Sequence, residues 1–188
     1  MGTCVVLIRG INVGGKNPVS MAELRTCLEE LGCTAVSTLL ASGNAIVDTS
    51  RPTAELATAI EQELPQRFRL PSELVRVLVV PAAAFRRIID KRPKGFGDQP
   101  ELFHSDAIFL IDVDVSVAMS VFDPREGVDT VWAGDGVIYS QRLSALRTKS
   151  RLGKIVGTVP YKSMTIRSWQ TTLKLRAALD ARSSSNRA

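Results

Sequence analysis

Hydrophobic residues recur along the chain in an order of strand-like and helix-like segments that is then repeated. The first half begins with an apolar run at residues 4–8, and leucines at helical spacing follow Ser20, which together with Glu23 is typical of a capping box. Two β-type runs flank the polar turn at residues 42–44. A helical pattern over residues 53–68 and a last apolar run complete the order β-α-β-β-α-β, which is that of a ferredoxin-like unit.

The second half repeats this order after an extra helix and a linker with two prolines and two glycines. The predicted segments are a strand at 107–111, a helix at 115–122, a hairpin at 128–133 and 137–141, a helix at 143–156, a strand at 164–167 and a helix at 169–181. We therefore predict an α+β protein of two tandem ferredoxin-like halves with an added C-terminal helix. The expected boundaries are residues 1–91 for the first half with its extra helix, 92–105 for the linker, 106–181 for the second half and 182–188 for a disordered tail.

Composition narrows the class of protein. Of the 188 residues 45% are hydrophobic, which is enough for a core and excludes wholesale disorder. No apolar run approaches the ~20 residues that a membrane-spanning helix needs, and the N-terminus lacks a signal-peptide pattern. Three cysteines, odd in number and in apolar or helical contexts, indicate reduced thiols in a cytoplasmic protein.

Charge is distributed unevenly along the chain. Residues 1–141 carry 13 Lys and Arg against 18 Asp and Glu, whereas residues 142–188 carry 11 against one. This asymmetry is typical either of a surface that binds a polyanion or of an internal electrostatic match between the two parts.

The loop at residues 9–17 resembles a phosphate-binding loop without matching it. Gly10, four residues and then Gly15-Lys16 follow the pattern G-x-x-x-x-G-K-[ST], but Asn17 replaces the hydroxyl residue that would hold magnesium. The helix cap at Ser20 also begins the helix too late for Lys16, and the β-α-β-β order differs from the parallel sheet of such enzymes. We therefore exclude a phosphate-loop nucleotide triphosphatase.

The same loop nevertheless has the composition of an anion site. Its glycines allow positive φ and close backbone approach, and Arg9 and Lys16 supply positive charge near a helix N-terminus. In a β-α-β-β-α-β sheet the turn at residues 42–44 lies at the same end as this loop, so the two segments are expected to converge. The alternative is a long connection whose glycines and asparagines only satisfy turns. The candidate ligand-binding residues are Arg9, Asn12, Gly14, Gly15, Lys16, Asn17, Ser42, Gly43 and Asn44, and the ligand would be an anionic small molecule such as a nucleotide or a phosphorylated metabolite.

These motifs carry a resemblance to a known family. Residues 7–17 (Leu-Ile-Arg-Gly-Ile-Asn-Val-Gly-Gly-Lys-Asn), residues 21–24 (Met-Ala-Glu-Leu) and the Ser-Gly-Asn at 42–44 resemble the bacterial "domain of unknown function 1697" family. Residues 167–171 are similar to that family's Arg-Asn-Trp-Asn-Thr signature, from which Ser168 and Gln170 depart. The resemblance implies a compact α+β protein with ferredoxin-like halves and no established activity.

A second candidate surface is the basic C-terminal quarter. Arg147, Arg151 and Lys154 fall at i, i+4 and i+7 of the predicted helix and would form a basic stripe. A basic surface beside an aromatic residue is what nucleic-acid backbones use, and Trp169 follows the last strand, although we favour a core position for this tryptophan. The residues of this alternative, a non-specific nucleic-acid-binding module, are Arg147, Arg151, Lys154, Arg167 and Lys174.

Other chemistry is less well supported by the sequence. Phe109 and Tyr139 on the central strands of the second half could stack RNA bases, but aromatic residues there are more often core. Asp112, Asp114 and Asp135 could hold a cation, but Asp is common in turns and caps. The only histidine lies in the predicted linker, and no catalytic triad or zinc spacing is present. We expect no metal and no cofactor, and the sequence leaves open whether the protein is an enzyme.

Overall fold

Two four-stranded antiparallel sheets with helices form the framework of the protein, as seen in a computed structural model that describes residues 1–185. The chain divides into two units. The first comprises Met1–Arg86 and the chain from Leu175 onward, and the second comprises Arg87–Lys174. The mixed α and β class predicted from the sequence is confirmed.

The first sheet has the strand order β2-β3-β1-β4. Its elements, with two helices between the strands, are β1 (Gly2–Arg9), α1 (Met21–Glu30), β2 (Thr34–Leu39), β3 (Asn44–Thr49), α2 (Thr53–Phe68) and β4 (Arg76–Pro81). A short 3₁₀ helix, Ser72–Leu74, precedes β4. Two further helices, α3 (Ala82–Asp90) and α5 (Trp169–Ser185), contribute residues to both units.

The helices of the first unit pack through residues spaced by three or four. Ser20 caps α1 by accepting a hydrogen bond from the Glu23 amide at 3.4 Å, as its sequence predicted. In α2 the buried residues are Leu56, Ile60 and Leu64, which recur every four positions and face the sheet. One face of β1 and β3 completes this core with alternate apolar side chains.

The second sheet has the order β6-β7-β5-β8. It repeats the first sheet, because in both sheets the second, third, first and fourth strands of the unit lie side by side in that order. Its elements are β5 (Phe103–Leu110), α4 (Val115–Met119), β6 (Asp129–Ala133), β7 (Val137–Leu143) and β8 (Met164–Ser168). The core on one face of the sheet contains Ile108, Ile138 and Met164, and Ile155 and Tyr161 pack onto it from the segment between β7 and β8.

The helix predicted at residues 143–156 is wrong. In its place the chain forms the 3₁₀ helices Ser144–Lys149 and Leu152–Ile155, and a third, Pro160–Ser163, leads into β8. Gly153, Gly157 and Pro160 interrupt this segment, and Leu146 has non-helical φ and ψ within the first 3₁₀ helix. Gly153 lies within the predicted helix and Gly157 and Pro160 follow its end, so residues that disfavour an α-helix outweigh the helical spacing of the apolar side chains.

Two boundaries also differ from the sequence expectation. Strand β5 begins at Phe103, so the last three residues of the predicted linker belong to the sheet and pair with β7. Helix α5 continues to Ser185, so residues 182–185 of the predicted disordered tail are helical, and residues 186–188 lie outside the described residues. Within the described chain no helix combines the length and the apolar character needed to cross a membrane.

Candidate functional site

Residues 12–17 form a small β-hairpin, named here the glycine hairpin. The Lys16 amide donates to the Val13 carbonyl at 2.9 Å, and the two residues between them, Gly14 and Gly15, have φ values of 57° and 75°. Two successive positive φ values are typical of a type I′ turn, which favours glycine at both central positions. The paired glycines are therefore explained by the turn itself.

The asparagines of the loop hold the glycine hairpin in place. The Asn12 side chain accepts a hydrogen bond from the Val19 amide at 2.8 Å and donates to the Val19 carbonyl at 2.9 Å. The Asn17 side chain donates to the Gly10 carbonyl at 2.8 Å. Both asparagines have φ of 53°, a left-handed conformation that asparagine tolerates. Their amides thus have a structural use, and ligand contacts by them stay a prediction.

The turn at residues 42–44 lies against the end of β1, beside the start of the loop. The Ile8 amide donates to the Gly43 carbonyl at 2.8 Å. Gly43 is buried with φ of 71°, and a Cβ there would lie 2.9 Å from the Ile8 carbonyl oxygen. Asn44 is also buried, and its side chain donates to Ser42 Oγ at 2.9 Å and to the Leu39 carbonyl at 3.2 Å. The structure therefore brings the two predicted segments together.

The two basic residues of the loop differ in their surroundings. Arg9 is half-buried at the end of β1, and its Nη1 donates to the Leu74 carbonyl at 3.3 Å. Lys16 is exposed on the glycine hairpin, next to Val13, which is 66% exposed, and no acidic side chain among residues 1–185 lies within ion-pair distance of it. Lys16 is therefore the cation that is open to a ligand.

The predicted basic stripe of the second unit does not form, because the helix that would carry it is absent. Arg151 Nη1 lies 3.0 Å from an Asp123 carboxylate oxygen, and Lys154 Nζ lies 3.7 Å from the same carboxylate. Arg147 is exposed and has no ion-pair partner in the described chain. Two of the three charges are thus partly neutralised.

Arg167 also departs from the expected surface position. It is 7% exposed, and its Nη1 donates to Thr165 Oγ1 at 2.9 Å and to the Ile166 carbonyl at 2.8 Å. Burial lowers the pKa of the Arg167 guanidinium to about 10. Lys174, the remaining residue of this set, has an exposed side chain. The five basic residues of the nucleic-acid alternative therefore do not form one exposed surface.

The aromatic residues of the second unit belong to its core. Phe96 is fully buried, and its ring packs edge-to-face on Trp169 with centroids 4.9 Å apart and on Tyr139 at 5.1 Å. Trp169 is buried as expected, but the anticipated partner Leu173 is 42% exposed. Phe109 is fully buried, so the stacking surface considered for RNA is absent from the described sheet.

The remaining acidic and thiol candidates have structural roles or are buried. Asp114 caps α4 by accepting hydrogen bonds from the Ser116 hydroxyl at 2.6 Å and the Ser116 amide at 2.7 Å, and these two hydrogen bonds lower the pKa of the Asp114 carboxyl. Within residues 1–185 no group of three or more His, Cys, Asp and Glu side chains could hold a metal ion. Cys4, Cys27 and Cys33 are free and buried, and desolvation raises the pKa of each thiol.

Strand β5 carries a polar pair that the sequence pattern did not reveal. His104 Nε2 lies 3.1 Å from Asp106 Oδ1, and Asp106 Oδ2 lies 3.8 Å from Arg142 Nη1 of the neighbouring strand. The linker predicted at residues 92–105 includes His104, and this boundary hides the alternation of residues 104, 106 and 108 on one strand face. Extending the strand pattern three residues toward the N-terminus would have revealed the pair.

The comparisons with known proteins agree with this fold. None of the curated proteins matches the chain. Among solved structures, the chain is similar to the conserved bacterial protein SP0830 from Streptococcus pneumoniae, with a TM-score of 0.79 and 26% sequence identity, covering 94% of this chain and 98% of that chain. The model of a family described as "protein of unknown function (DUF1697)" matches residues 1–139. The chain therefore belongs to the DUF1697 family, whose function is unknown.

Proposed function

We propose that this protein binds a small anionic ligand, a nucleotide or a phosphorylated metabolite, at the glycine hairpin and the turn at residues 42–44. Lys16 would contact the negative charge, with Arg9 at the base of the loop, and the backbone of Gly14 and Gly15 would approach the ligand. The observation that supports this proposal is the exposed Lys16 ammonium on a hairpin that internal hydrogen bonds hold in shape.

The tip of the glycine hairpin is accessible to a ligand. The amides of Gly14 and Gly15 donate to no described residue, and a Cβ on either glycine would meet no atom within 4 Å. Successive backbone N–H groups in a turn are a common anion-binding arrangement. The ammonium of Lys16, the next residue, would add a charge-assisted hydrogen bond.

Preorganisation favours binding at this loop. The side chains of Asn12 and Asn17 fix the hairpin through three hydrogen bonds of 2.8 to 2.9 Å to backbone groups of the same loop. Less conformational entropy is therefore lost when a ligand binds than would be lost by a flexible glycine-rich loop. The positive φ of Gly14 and Gly15 would allow their backbone to approach a ligand closely.

We also infer that the fold consists of two tandem ferredoxin-like halves. The order β2-β3-β1-β4 and its repetition as β6-β7-β5-β8 support this interpretation, since each central pair joins the first and third strands of its half. Three free cysteines in the described chain support a reducing compartment, and we propose the cytoplasm.

The test uses the full chain and two probes, inorganic phosphate and ADP, in an NMR titration of backbone amides. We expect the signals of Gly14, Gly15 and Lys16 to shift on addition of ADP. Lys16→Ala should weaken ADP binding by about tenfold or more, because a charge-assisted contact is lost. Lys149→Ala, which removes an exposed lysine from the second unit, is the matched control and should bind as the wild type does.

Two results would overturn the proposal. One is the absence of shifts at the glycine hairpin with either probe at about 10 mM, a concentration that detects even millimolar affinity. The other is equal ADP affinity of the wild type and Lys16→Ala, which would place the site elsewhere. If a DNA duplex instead shifts Arg147 and Lys174, the nucleic-acid alternative is favoured.

A further inference from the structure

The second unit contains a cavity of about 130 Å³ on the face of its sheet. Ile108 of β5 and Ile166 of β8 form the floor, and Ile155 and Val156 form a wall from the 3₁₀ segment between β7 and β8. The volume corresponds to roughly four water molecules. An occupant must therefore be small, and most of its contacts would be apolar.

One end of the cavity carries two opposite charges. Asp106 and Arg142 are the charged residues among its described lining, and their side chains are 14% and 29% exposed. Ser140, directly opposite Asp106 on β7, adds a hydroxyl group. The site therefore combines one carboxylate and one guanidinium with an apolar floor.

These two charged groups are close without being hydrogen-bonded to each other. Asp106 Oδ2 lies 3.8 Å from Arg142 Nη1, which is beyond hydrogen-bond distance, whereas Asp106 Oδ1 is held by His104 at 3.1 Å. No hydrogen bond of the Arg142 guanidinium to another described residue is present either. At 3.8 Å, Asp106 Oδ2 and Arg142 Nη1 can each still form a hydrogen bond with a third group.

Burial disfavours the charged form of the Asp106 carboxyl. Desolvation raises its pKa, while the His104 and Arg142 side chains act in the opposite direction. A carboxylate kept in a largely desolvated position beside a cavity is typical of binding sites, since burial without full hydrogen bonding is unfavourable for folding alone.

We infer that this cavity binds a small zwitterion with a short branched apolar side chain, of the size of valine. Its ammonium group would donate to Asp106 Oδ2 and its carboxylate would accept from Arg142, while the side chain would contact Ile108 and Ile166. Asp106 and Arg142 form only a long ion pair with each other. A ligand with one charge would add a hydrogen bond to only one of these two groups, whereas a zwitterion offers one to each. This site is in the second unit and does not depend on the function proposed for the glycine hairpin.

The test is an NMR titration of the full chain with three probes: L-valine, isobutylamine and isobutyrate. We expect L-valine to shift the methyl signals of Ile108 and Ile166, and to bind about tenfold or more tightly than either probe with a single charge. Asp106→Asn and Arg142→Gln should each weaken L-valine binding by about tenfold or more. Arg147→Gln, which changes an exposed arginine outside the cavity, should leave it unchanged.

A second variant keeps the test decisive if a charge substitution disturbs folding. Val156→Phe retains both charges and fills part of the cavity from an exposed wall position, so it should abolish the methyl shifts while the amide spectrum elsewhere is preserved. The proposal is overturned if L-valine at about 10 mM shifts neither isoleucine. It is also overturned if isobutylamine or isobutyrate binds as tightly as L-valine, or if Val156→Phe binds like the wild type.

Discussion

The two units share a strand order and differ in how the chain crosses from the third strand to the fourth. In the first unit the crossover is α2, a sixteen-residue helix whose buried Leu56, Ile60 and Leu64 cover the sheet. In the second unit the corresponding crossover consists of three 3₁₀ helices, of which Leu152 and Ile155 are the buried apolar residues. A continuous helix covers a sheet face along its length, whereas short turns leave space between them.

The difference originates in the residues of the two crossovers. Residues 53–68 are rich in Ala, Glu and Leu, which favour helices, and contain no glycine, while residues 144–163 contain two glycines and several Ser and Thr residues. The second crossover is instead held in place by Asp129, whose Oδ2 accepts a hydrogen bond from the Arg151 amide at 2.8 Å. The cavity beside Asp106 is therefore a consequence of this crossover, in which turns held by hydrogen bonds to Asp129 take the place of a helix.

The largest expected effect distinguishes the packing of the two crossovers. Ile60→Ala should lower the free energy of unfolding by about 4 kcal/mol, and Ile155→Ala by about 2 kcal/mol. Ile60 is fully buried in the core of the first unit, whereas Ile155 lines the cavity and has fewer contacts to lose. Urea unfolding followed by amide NMR signals of each unit measures both losses. Equal losses would contradict the difference in packing.

The connections between the first strand and the first helix also differ between the two units, because only the first unit has the glycine hairpin at this position. Gly10, at its base, has φ of 91°, and a Cβ there would lie 2.1 Å from the Leu74 carbonyl oxygen. Gly10→Ala should therefore cost about 3 kcal/mol of folding free energy, from backbone strain together with the clash.

Gly15→Ala is the matched control for that substitution. Gly15 also has positive φ, but no atom lies within 4 Å of its ideal Cβ position, so strain alone should cost about 1 kcal/mol. Thermal unfolding of the two variants gives the comparison. A larger loss for Gly15→Ala would show that the hairpin tip, and not its base, determines stability.

The anchor of the second crossover should be sensitive to pH. Burial raises the pKa of Asp129, but hydrogen bonds from the Arg151 amide, Ser150 and the Arg125 amide outweigh burial and lower it below its ordinary value. A carboxyl whose pKa is lower in the folded state stabilises the fold above its unfolded pKa, near 4, and this stabilisation is lost as the pH falls through the folded pKa.

Asp129→Asn should accordingly cost about 2 kcal/mol at pH 7, since hydrogen bonds to a charged acceptor are weakened. The difference between wild type and variant should shrink as the pH falls below about 4. Denaturant unfolding at several pH values measures this, with Asp135→Asn, in an exposed turn, as the control. A difference that is constant with pH would mean that the charge of Asp129 does not anchor the crossover.

The fold was predictable where local pattern and packing agree. The alternation in the strands and the cap at Ser20 placed the elements of the first unit, and the order of elements brought the loop at residues 9–17 to the turn at 42–44. The sequence allowed an internal role for Asn12 and Asn17 in turns, but their partners were not predictable, because each side chain bonds a backbone group seven residues away in the folded loop.

The errors in the second unit have physical causes as well. Leu152 and Ile155 have helical spacing, but turns bury them equally well when the Asp129 carboxylate supplies hydrogen bonds to the backbone. The pattern of β8 predicts a solvent face for Arg167, because alternation identifies two faces of a strand but not which face is buried. In β8 residues on both faces, Met164 and Thr165, are buried. Single-sequence pattern carries no information about such long-range partners.

The smallest expected effect concerns Lys16, and it separates binding from folding at the glycine hairpin. Lys16→Ala should change the free energy of unfolding by less than about 0.5 kcal/mol, because the side chain is exposed and forms no ion pair with a described residue. The backbone of Lys16, which donates to the Val13 carbonyl at 2.9 Å, is retained in the variant, so the hairpin should keep its shape. Urea unfolding of the variant beside the wild type checks this. A loss above about 1 kcal/mol would mean that the ammonium supports the fold, in which case the loop is a structural connection and weakened ADP binding in Lys16→Ala could not be assigned to a lost contact.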